Sequence, residues 1–173
     1  DPVSSQQSLT VNANLSTVNI SPADDQEFCI NGIGTEITVA ETGGGTIIAR
    51  QWGKRSVSGG VITDISGASS STYTPSSSDL DAGVWYVVCT STPTCGSPMV
   101  SNEIEVEVYS LSVAPKSITA YPSTSNSGDH VCPGDFVTLT VSGGELGTNP
   151  YAAWTWYKGS CGSGEPIGTG ETI

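Results

Sequence analysis

Positive charge is what this chain has least of. Five of its 173 residues are lysine or arginine, seventeen are aspartate or glutamate, and the net charge is −12. Arg50, Lys54, Arg55, Lys116 and Lys158 are too few and too scattered to build the basic face that phosphates require, which excludes nucleic acid as a partner. An anionic bilayer repels such a chain for the same reason. No apolar run approaches membrane-spanning length, so this segment is not expected to insert into a membrane. No signal peptide opens the chain, and if the molecule is exported its targeting signals lie outside these residues. The one histidine, His130, and five cysteines without a C-x-x-C pair cannot make a zinc set of the usual spacing. His130 stands beside Asp129 and reads as an exposed linker residue, and no serine sits in a Gly-x-Ser-x-Gly elbow. Methionine occurs once and strong helix formers are few. Gly, Ser, Thr and β-branched residues abound instead, as in a secreted all-β protein.

What the chain does have is repetition. Thr38-Val39-Ala40-Glu41-Thr42-Gly43-Gly44 is answered one hundred positions on by Thr138-Leu139-Thr140-Val141-Ser142-Gly143-Gly144, the mark of an array of similar domains. Each copy has a cysteine ahead of this stretch (Cys29, Cys132) and a tryptophan after it, with a lysine two residues later (Trp52 and Lys54, Trp156 and Lys158). Trp154-Thr155-Trp156-Tyr157 matches Arg50-Gln51-Trp52-Gly53, so Arg50 stands where the second copy has Trp154, a swap that suits stacking at a partly exposed spot. The chain is expected to divide into four parts. Residues 1–14 are the last strand of a preceding module, 15–109 a complete module, 110–128 a Ser/Thr/Pro-rich connector, and 129–173 the N-terminal part of a second, cut module. Pro115 and Pro122 favour extended backbone in the connector.

Within 15–109, short alternating runs are separated by turn residues at roughly every eight to twelve positions. Ile37, Val39 and Glu41 share one strand face, and residues 46–53 form the next strand with Ile48 and Trp52 on one side. Thr72-Tyr73-Thr74 is a short strand ended by Pro75, and Asp81-Ala82-Gly83 turns into the strongly β-forming run 84–89. Ile104, Val106 and Val108 alternate with Glu103, Glu105 and Glu107, a solvated face that on an edge strand would discourage unwanted pairing. A cysteine-side strand, a tryptophan strand and then Asp-x-Gly-x-aromatic opening a late strand form the immunoglobulin pattern. The expected fold is all-β: tandem immunoglobulin-like antiparallel β-sandwiches with Val39, Trp52, Trp85, Val87 and Trp156 in their cores. Two positions depart from the pattern, since Trp85 holds the tyrosine-corner place and Val87 that of the late-strand cysteine.

The cysteines read as disulfides of an oxidising compartment. If Val39 faces Val87, an antiparallel relation brings Cys29, ten residues before Val39, near Cys95, eight residues after Val87. The expected bridge is Cys29–Cys95, with Cys89–Cys95 and Cys29–Cys89 left open because connectivity is not encoded in spacing. Cys89 shares strand parity with Trp85 and Val87 and is expected inward as a buried thiol. The odd count is expected if the partners of Cys132 and Cys161 lie past the cut.

Gln51-Trp52, Ile65-Ser66-Gly67-Ala68, Tyr73-Thr74-Pro75, Asp81-Ala82-Gly83-Val84-Trp85-Tyr86-Val87-Val88 and Ser101-Asn102-Glu103-Ile104 resemble the repeated immunoglobulin-like modules of large surface adhesins in Bacteroidota. In the second copy, the run from Cys132-Pro133-Gly134-Asp135 through Gly143-Gly144-Glu145-Leu146-Gly147 resembles a repeat of gliding-motility adhesins of the SprB type. So does Trp154-Thr155-Trp156-Tyr157-Lys158-Gly159-Ser160-Cys161-Gly162. The resemblance implies export by the type IX secretion system and an extracellular location at the cell surface, attached to the outer membrane. It also implies a part in gliding motility and surface attachment. The implied partners are neighbouring modules of the same chain, with surface polysaccharide or substratum met through other parts of the protein. No catalytic or ligand residue transfers.

The expected function is that of a non-enzymatic stalk segment of a large adhesin. The alternative is a carbohydrate-binding accessory module of a secreted polysaccharide-degrading enzyme, using Trp154, Trp156 and Tyr157 as a stacking platform. Alternation puts Trp156 in the core and leaves Trp154 and Tyr157 as interface or surface groups, so packing is preferred. Asp79 and Asp81 open a strand and read as turn formers rather than a hydrolytic pair. Gly43-Gly44-Gly45 is a turn, since no Lys-Ser/Thr follows to make a phosphate cradle. Asp24, Asp25 and Glu27 are the calcium candidates, but they lack the Asp-x-Asp-x-Asp-Gly pattern and read as a solvated acidic loop. No cofactor is expected.

Overall fold

Alternating β-branched and polar residues dictate extended backbone, and every regular element of the described residues is a strand. The computed structural model describes residues 11–122, 133–159 and 164–173. Two units form, Asp1–Val108 and Tyr109–Ile173.

The first unit has two sheets. One contains β1 (Leu15–Ser21), β3 (Ile37–Gly43) and β6 (Thr72–Tyr73) in the order β1-β3-β6. The other runs β2 (Gln26–Cys29), β9 (Ile104–Tyr109), β7 (Gly83–Pro93), β4 (Ile47–Arg55) and β5 (Thr63–Asp64), with β8 (Met99–Val100) also paired to β7. One continuous core lies between them. Val18, Ile20, Ile37, Val39 and Tyr73 from the first sheet meet Trp52, Val87, Cys89, Ile104 and Val106 from the second. Trp52 and Val87 are fully buried. Burying a set of this size is the main stabilising term, each large side chain contributing about 1.5–3 kcal/mol.

Three local details differ from the sequence reading. A bulge falls between Ile47 and Ala49, where the register against β7 shifts. It turns Ile47 toward the core and leaves Ile48 exposed, although Ile48 shares Trp52's parity. β9 is not an edge strand: β2 covers one side and β7 the other, so its glutamates face solvent without guarding an edge. At the chain start, residues 11–14 carry no strand, and Ala13 O accepts the Gly44 amide at 2.9 Å, extending the β1–β3 ladder of this unit. Leu9 and Thr10 lie outside the described residues.

In the second unit, β10 (Ser117–Pro122) pairs antiparallel with β11 (Val137–Ser142), and β12 (Thr155–Lys158) with β13 (Glu165–Thr169). The stretch read as a connector therefore carries a strand. Pro122 ends the ladder opposite Val137. β10–β11 reproduces β1–β3 with an offset of one hundred: Val18 opposes Glu41 and Ile118 opposes Val141, Ile20 opposes Val39 and Ala120 opposes Leu139. The glycines that end the central strands recur as well. Gly44 has φ +79° and Gly144 φ +82°, and a Cβ there would lie 2.9 Å from Pro93 Cβ and 2.7 Å from Val113 O respectively.

Candidate functional site

The inner faces of β3 and β4 begin apolar and end charged. On β3, Ile37 and Val39 are followed by Glu41; on β4, the register sets Arg50 opposite Ser91, Trp52 opposite Cys89 and Lys54 opposite Val87. Arg50 therefore meets Glu41 across the two sheets. Arg50 Nε donates to Glu41 Oε1 at 2.7 Å and Nη2 to Oε2 at 3.2 Å, a two-point pairing. Ser91, wholly buried, donates its hydroxyl to the same Oε1 at 2.7 Å. The Arg50 hydrogen bonds hold the Glu41 carboxyl below the usual carboxylate range, with burial opposing and Ser91 assisting. A second tie between the sheets lies at Asn102, whose Oδ1 accepts the Ile20 amide at 2.8 Å.

Aromatic rings occupy the rest of the interior. The Trp52 and Tyr73 ring centroids are 5.4 Å apart, and Trp52 Nε1 donates to Ser70 O at 2.9 Å. Burial, followed by the charge of Asp79, pushes the Tyr73 hydroxyl far up from its ordinary value. Trp85, expected in the core, is only half-buried and packs against its margin. Its indole donates to Asp81 O at 2.8 Å in the turn, and Lys54 Nζ lies 4.5 Å over its ring while donating to Asp79 O. An indole N–H and an ammonium both need polar partners, and the turn supplies them only at the core's edge.

The two carboxylates weighed as a hydrolytic pair have different surroundings. Asp79 Oδ2 accepts the Tyr73 hydroxyl and the Ser76 hydroxyl, each at 3.2 Å, which fixes the turn into β7. Asp81 is held through its backbone carbonyl on Trp85. Glu103 accepts Arg55 at 2.6 Å, the Gly59 amide at 3.2 Å and the Ser58 hydroxyl, pinning the loop after β4. The Ser58 bond above all draws the Glu103 carboxyl down. Asp25 and Glu27 line a shallow groove with Gln26, Glu105 and Glu107. Asp24 is not in that lining, and among the described residues no three His, Cys, Asp or Glu side chains converge to hold a metal ion.

The expected Cys29–Cys95 disulfide is absent: Cys29, Cys89 and Cys95 are free thiols. Cys29 ends β2 in one sheet, and residues 30–36 carry the chain over to β3 in the other, so counting back from Val39 along one line fails. Hydrogen bonds of Asn31 and Gly32 to Ser77 place Cys29 near the segment leading into Gly83, the start of β7. Cys95 follows Pro93, at the far end of that strand. Eleven extended residues span roughly 35 Å, far beyond the ~7 Å that a disulfide tolerates between Cα atoms. Cys89 lies buried in mid-strand among core residues, where burial pushes its thiol up to about 11. Cys132, Cys161 and His130 lie outside the described residues.

Trp156 is buried and donates its indole N–H to Gly170 O at 2.9 Å. Trp154 lines one groove, with Val141, Glu145 and Glu171, whereas Tyr157 lines another, with Ile118 and Trp156. The rings of Trp154 and Tyr157 therefore do not share a platform. The inter-sheet cluster of Glu41, Arg50 and Ser91 was not foreseen from the sequence. Its signal was present, because Glu41 and Arg50 both replace apolar counterparts of the second copy, Val141 and Trp154. Ser91 has no described counterpart to compare. No curated protein is similar to this chain. Residues 18–110, which include the ion pair and all of the first unit's strands except the first three residues of β1, match the family described as a domain of unknown function, DUF8696, and the chain belongs to that family.

Proposed function

We propose that the chain is a stalk segment of a large secreted cell-surface adhesin, made of tandem immunoglobulin-like β-sandwiches that transmit force and supply length. The observation that supports this reading is that the buried tryptophan of each unit is anchored in one way. The indole of Trp52 donates to Ser70 O and that of Trp156 to Gly170 O, in each case the residue just before the segment that returns to the central strand. That return is made by Val39 N to Ser71 O at 3.0 Å in one unit and Leu139 N to Ile173 O at 2.9 Å in the other. One interior anchoring pattern repeated in both units suits a spacer better than a recognition site.

The first unit is also tied in a manner that suits load. Its first strand, β1, and last strand, β9, belong to different sheets, and the Asn102–Ile20 and Glu41–Arg50 contacts join the two sheets by polar bonds. Pulling on the unit's ends loads those ties together with the β1–β3 ladder, so failure is cooperative rather than strand by strand. The free thiols leave this resistance to hydrogen bonds and packing.

Single-molecule stretching of the full chain between flanking handles tests the reading. The first unit should rupture in one event that releases roughly 300 Å of chain, from about ninety extended residues, and Asn102→Ala should lower the rupture force. Featureless extension would count against a load-bearing role. Glycan-array binding abolished by replacing Trp154 would favour the carbohydrate-binding alternative.

A further inference from the structure

The first unit's chain crosses from β2 in one sheet to β3 in the other through a tight turn, and that turn holds a chemically reactive backbone pair. Asn31 alone among the asparagines is followed by glycine, Gly32. A glycine has no side chain to hinder its own nitrogen, so that nitrogen can reach the amide of the asparagine before it. In the folded unit this approach is blocked. Gly32 N donates to Cys29 O at 2.8 Å, closing a turn, and Asn31 has φ +70°, the left-handed value that the third residue of a type II turn requires. Asn31 N donates to Ser77 Oγ at 3.0 Å, and Gly32 O accepts the Ser77 amide at 3.4 Å. Ile33 bridges Ser76, and Gly34 N donates to Pro75 O at 2.7 Å. The backbone of the turn is clamped to residues 75–77, while Asn31 itself is exposed.

We infer that Asn31–Gly32 is a latent self-modification site, kept intact by this clamp and released to react when the crossover opens. The reaction needs only water. Once its bond to Cys29 O is broken, Gly32 N gives up its proton and swings round to the Asn31 side chain. It attacks Cγ, so that a C–N bond forms, and the Cγ–Nδ2 bond breaks to expel ammonia, which takes the proton. A cyclic imide remains. Water then opens the ring at either carbonyl, giving aspartate or the isoaspartate in which the main chain runs through the side-chain carboxyl. The net change is amide plus water to carboxylic acid plus ammonia. Either product adds a negative charge to a chain that already carries −12. The isoaspartate also lengthens the backbone by a methylene, so the Gly32 amide no longer meets Cys29 O in register with the Ile33–Ser76 bridge. A crossover that has opened and reacted in this way cannot reclose as before, and the site records the opening. The inference is independent of the stalk reading, because thermal opening triggers the reaction as well as load does.

The test incubates the full chain at mildly alkaline pH, folded and in guanidinium chloride. Peptide mapping that separates asparagine, aspartate and isoaspartate follows residue 31 in both. In denaturant Asn31 should convert faster than any other asparagine. In the folded chain it should convert at least about tenfold more slowly than in denaturant, because the reaction then waits on a transient opening. Ser77→Ala removes the acceptor of the Asn31 amide and should speed conversion of the folded chain about fivefold, the effect of one lost hydrogen bond, while leaving the denatured rate unchanged. The isoaspartyl chain, purified and returned to native buffer, should exchange its Gly32 and Gly34 amides faster than the unreacted chain. The inference is overturned if folded and denatured chains convert at equal rates, or if Asn31 stays intact in denaturant. It is equally overturned if Ser77→Ala leaves the folded rate unchanged, or if the isoaspartyl chain regains the original protection.

Discussion

Removing one half of the Glu41–Arg50 pair while keeping the other leaves a charge inside the core with nothing to answer it. The two side chains are 10 % and 27 % exposed, so the pair is mostly but not wholly withdrawn from water. A fully buried pair costs about 3–5 kcal/mol when one partner is lost, and the partial access of Arg50 lowers that to roughly 2–3 kcal/mol for Glu41→Val. Arg50→Trp should cost a similar amount, because it strands the Glu41 carboxylate beside Ser91 alone. The second copy of the sequence motif carries the apolar Val141 and Trp154 at these positions. Making both replacements at once should therefore cost about 2 kcal/mol rather than the sum of about 5, an interaction energy near 3 kcal/mol. Urea denaturation gives the four corners of this cycle, and hydrogen exchange at β7 amides confirms that the loss is in the first unit. Additive costs, or a Glu41→Val penalty below about 0.5 kcal/mol, would refute the assignment of the pair as an inter-sheet tie. The pH dependence has a definite sign. The folded carboxyl of Glu41 titrates below its ordinary value of 4.5, so its contribution is complete above that pH and is lost as pH falls through the folded value. Glu41→Gln should flatten this acid limb.

Four other outcomes follow from the structure. Alkylation under native conditions should modify exposed Cys29 quickly and leave buried Cys89 untouched until the unit opens, because its thiol is pushed up to about 11; mass mapping reads this directly. Trp52→Ala should cost about 3–5 kcal/mol, through the cavity and the lost bond to Ser70 O, and thermal melting measures it. Gly44→Ala should destabilise the first unit by roughly 1–2 kcal/mol, since φ +79° is strained for alanine and the new methyl would crowd Pro93 and Leu15. Lys54→Met should cost about 1 kcal/mol by releasing the Trp85 ring and the Asp79 carbonyl, a loss visible as red-shifted tryptophan emission.

Strand placement was largely legible because it depends on short-range alternation. The inward faces of Ile37, Val39 and Glu41, and of Ile104, Val106 and Val108, follow from residue parity, and the turn at Gly43 and Gly44 from the need for positive φ. Parity misled at Ile48, where one inserted residue reverses the face, and a bulge leaves no mark in an otherwise β-branched run. The cysteine pairing failed for a related reason. It treated residues 29–39 as one line, whereas the chain changes sheets between Cys29 and Ile37, and sheet membership is a long-range property.

The amino-acid order by itself determined that this chain is β-rich, that it repeats at a spacing of one hundred, and that one tryptophan per copy is buried, because each depends on neighbours a few residues apart or on direct comparison of the copies. Which charged side chains meet was decided only in three dimensions. Glu41, Arg50 and Ser91 come from three strands and two sheets, and their union depends on strand order, register and a bulge that no local pattern encodes.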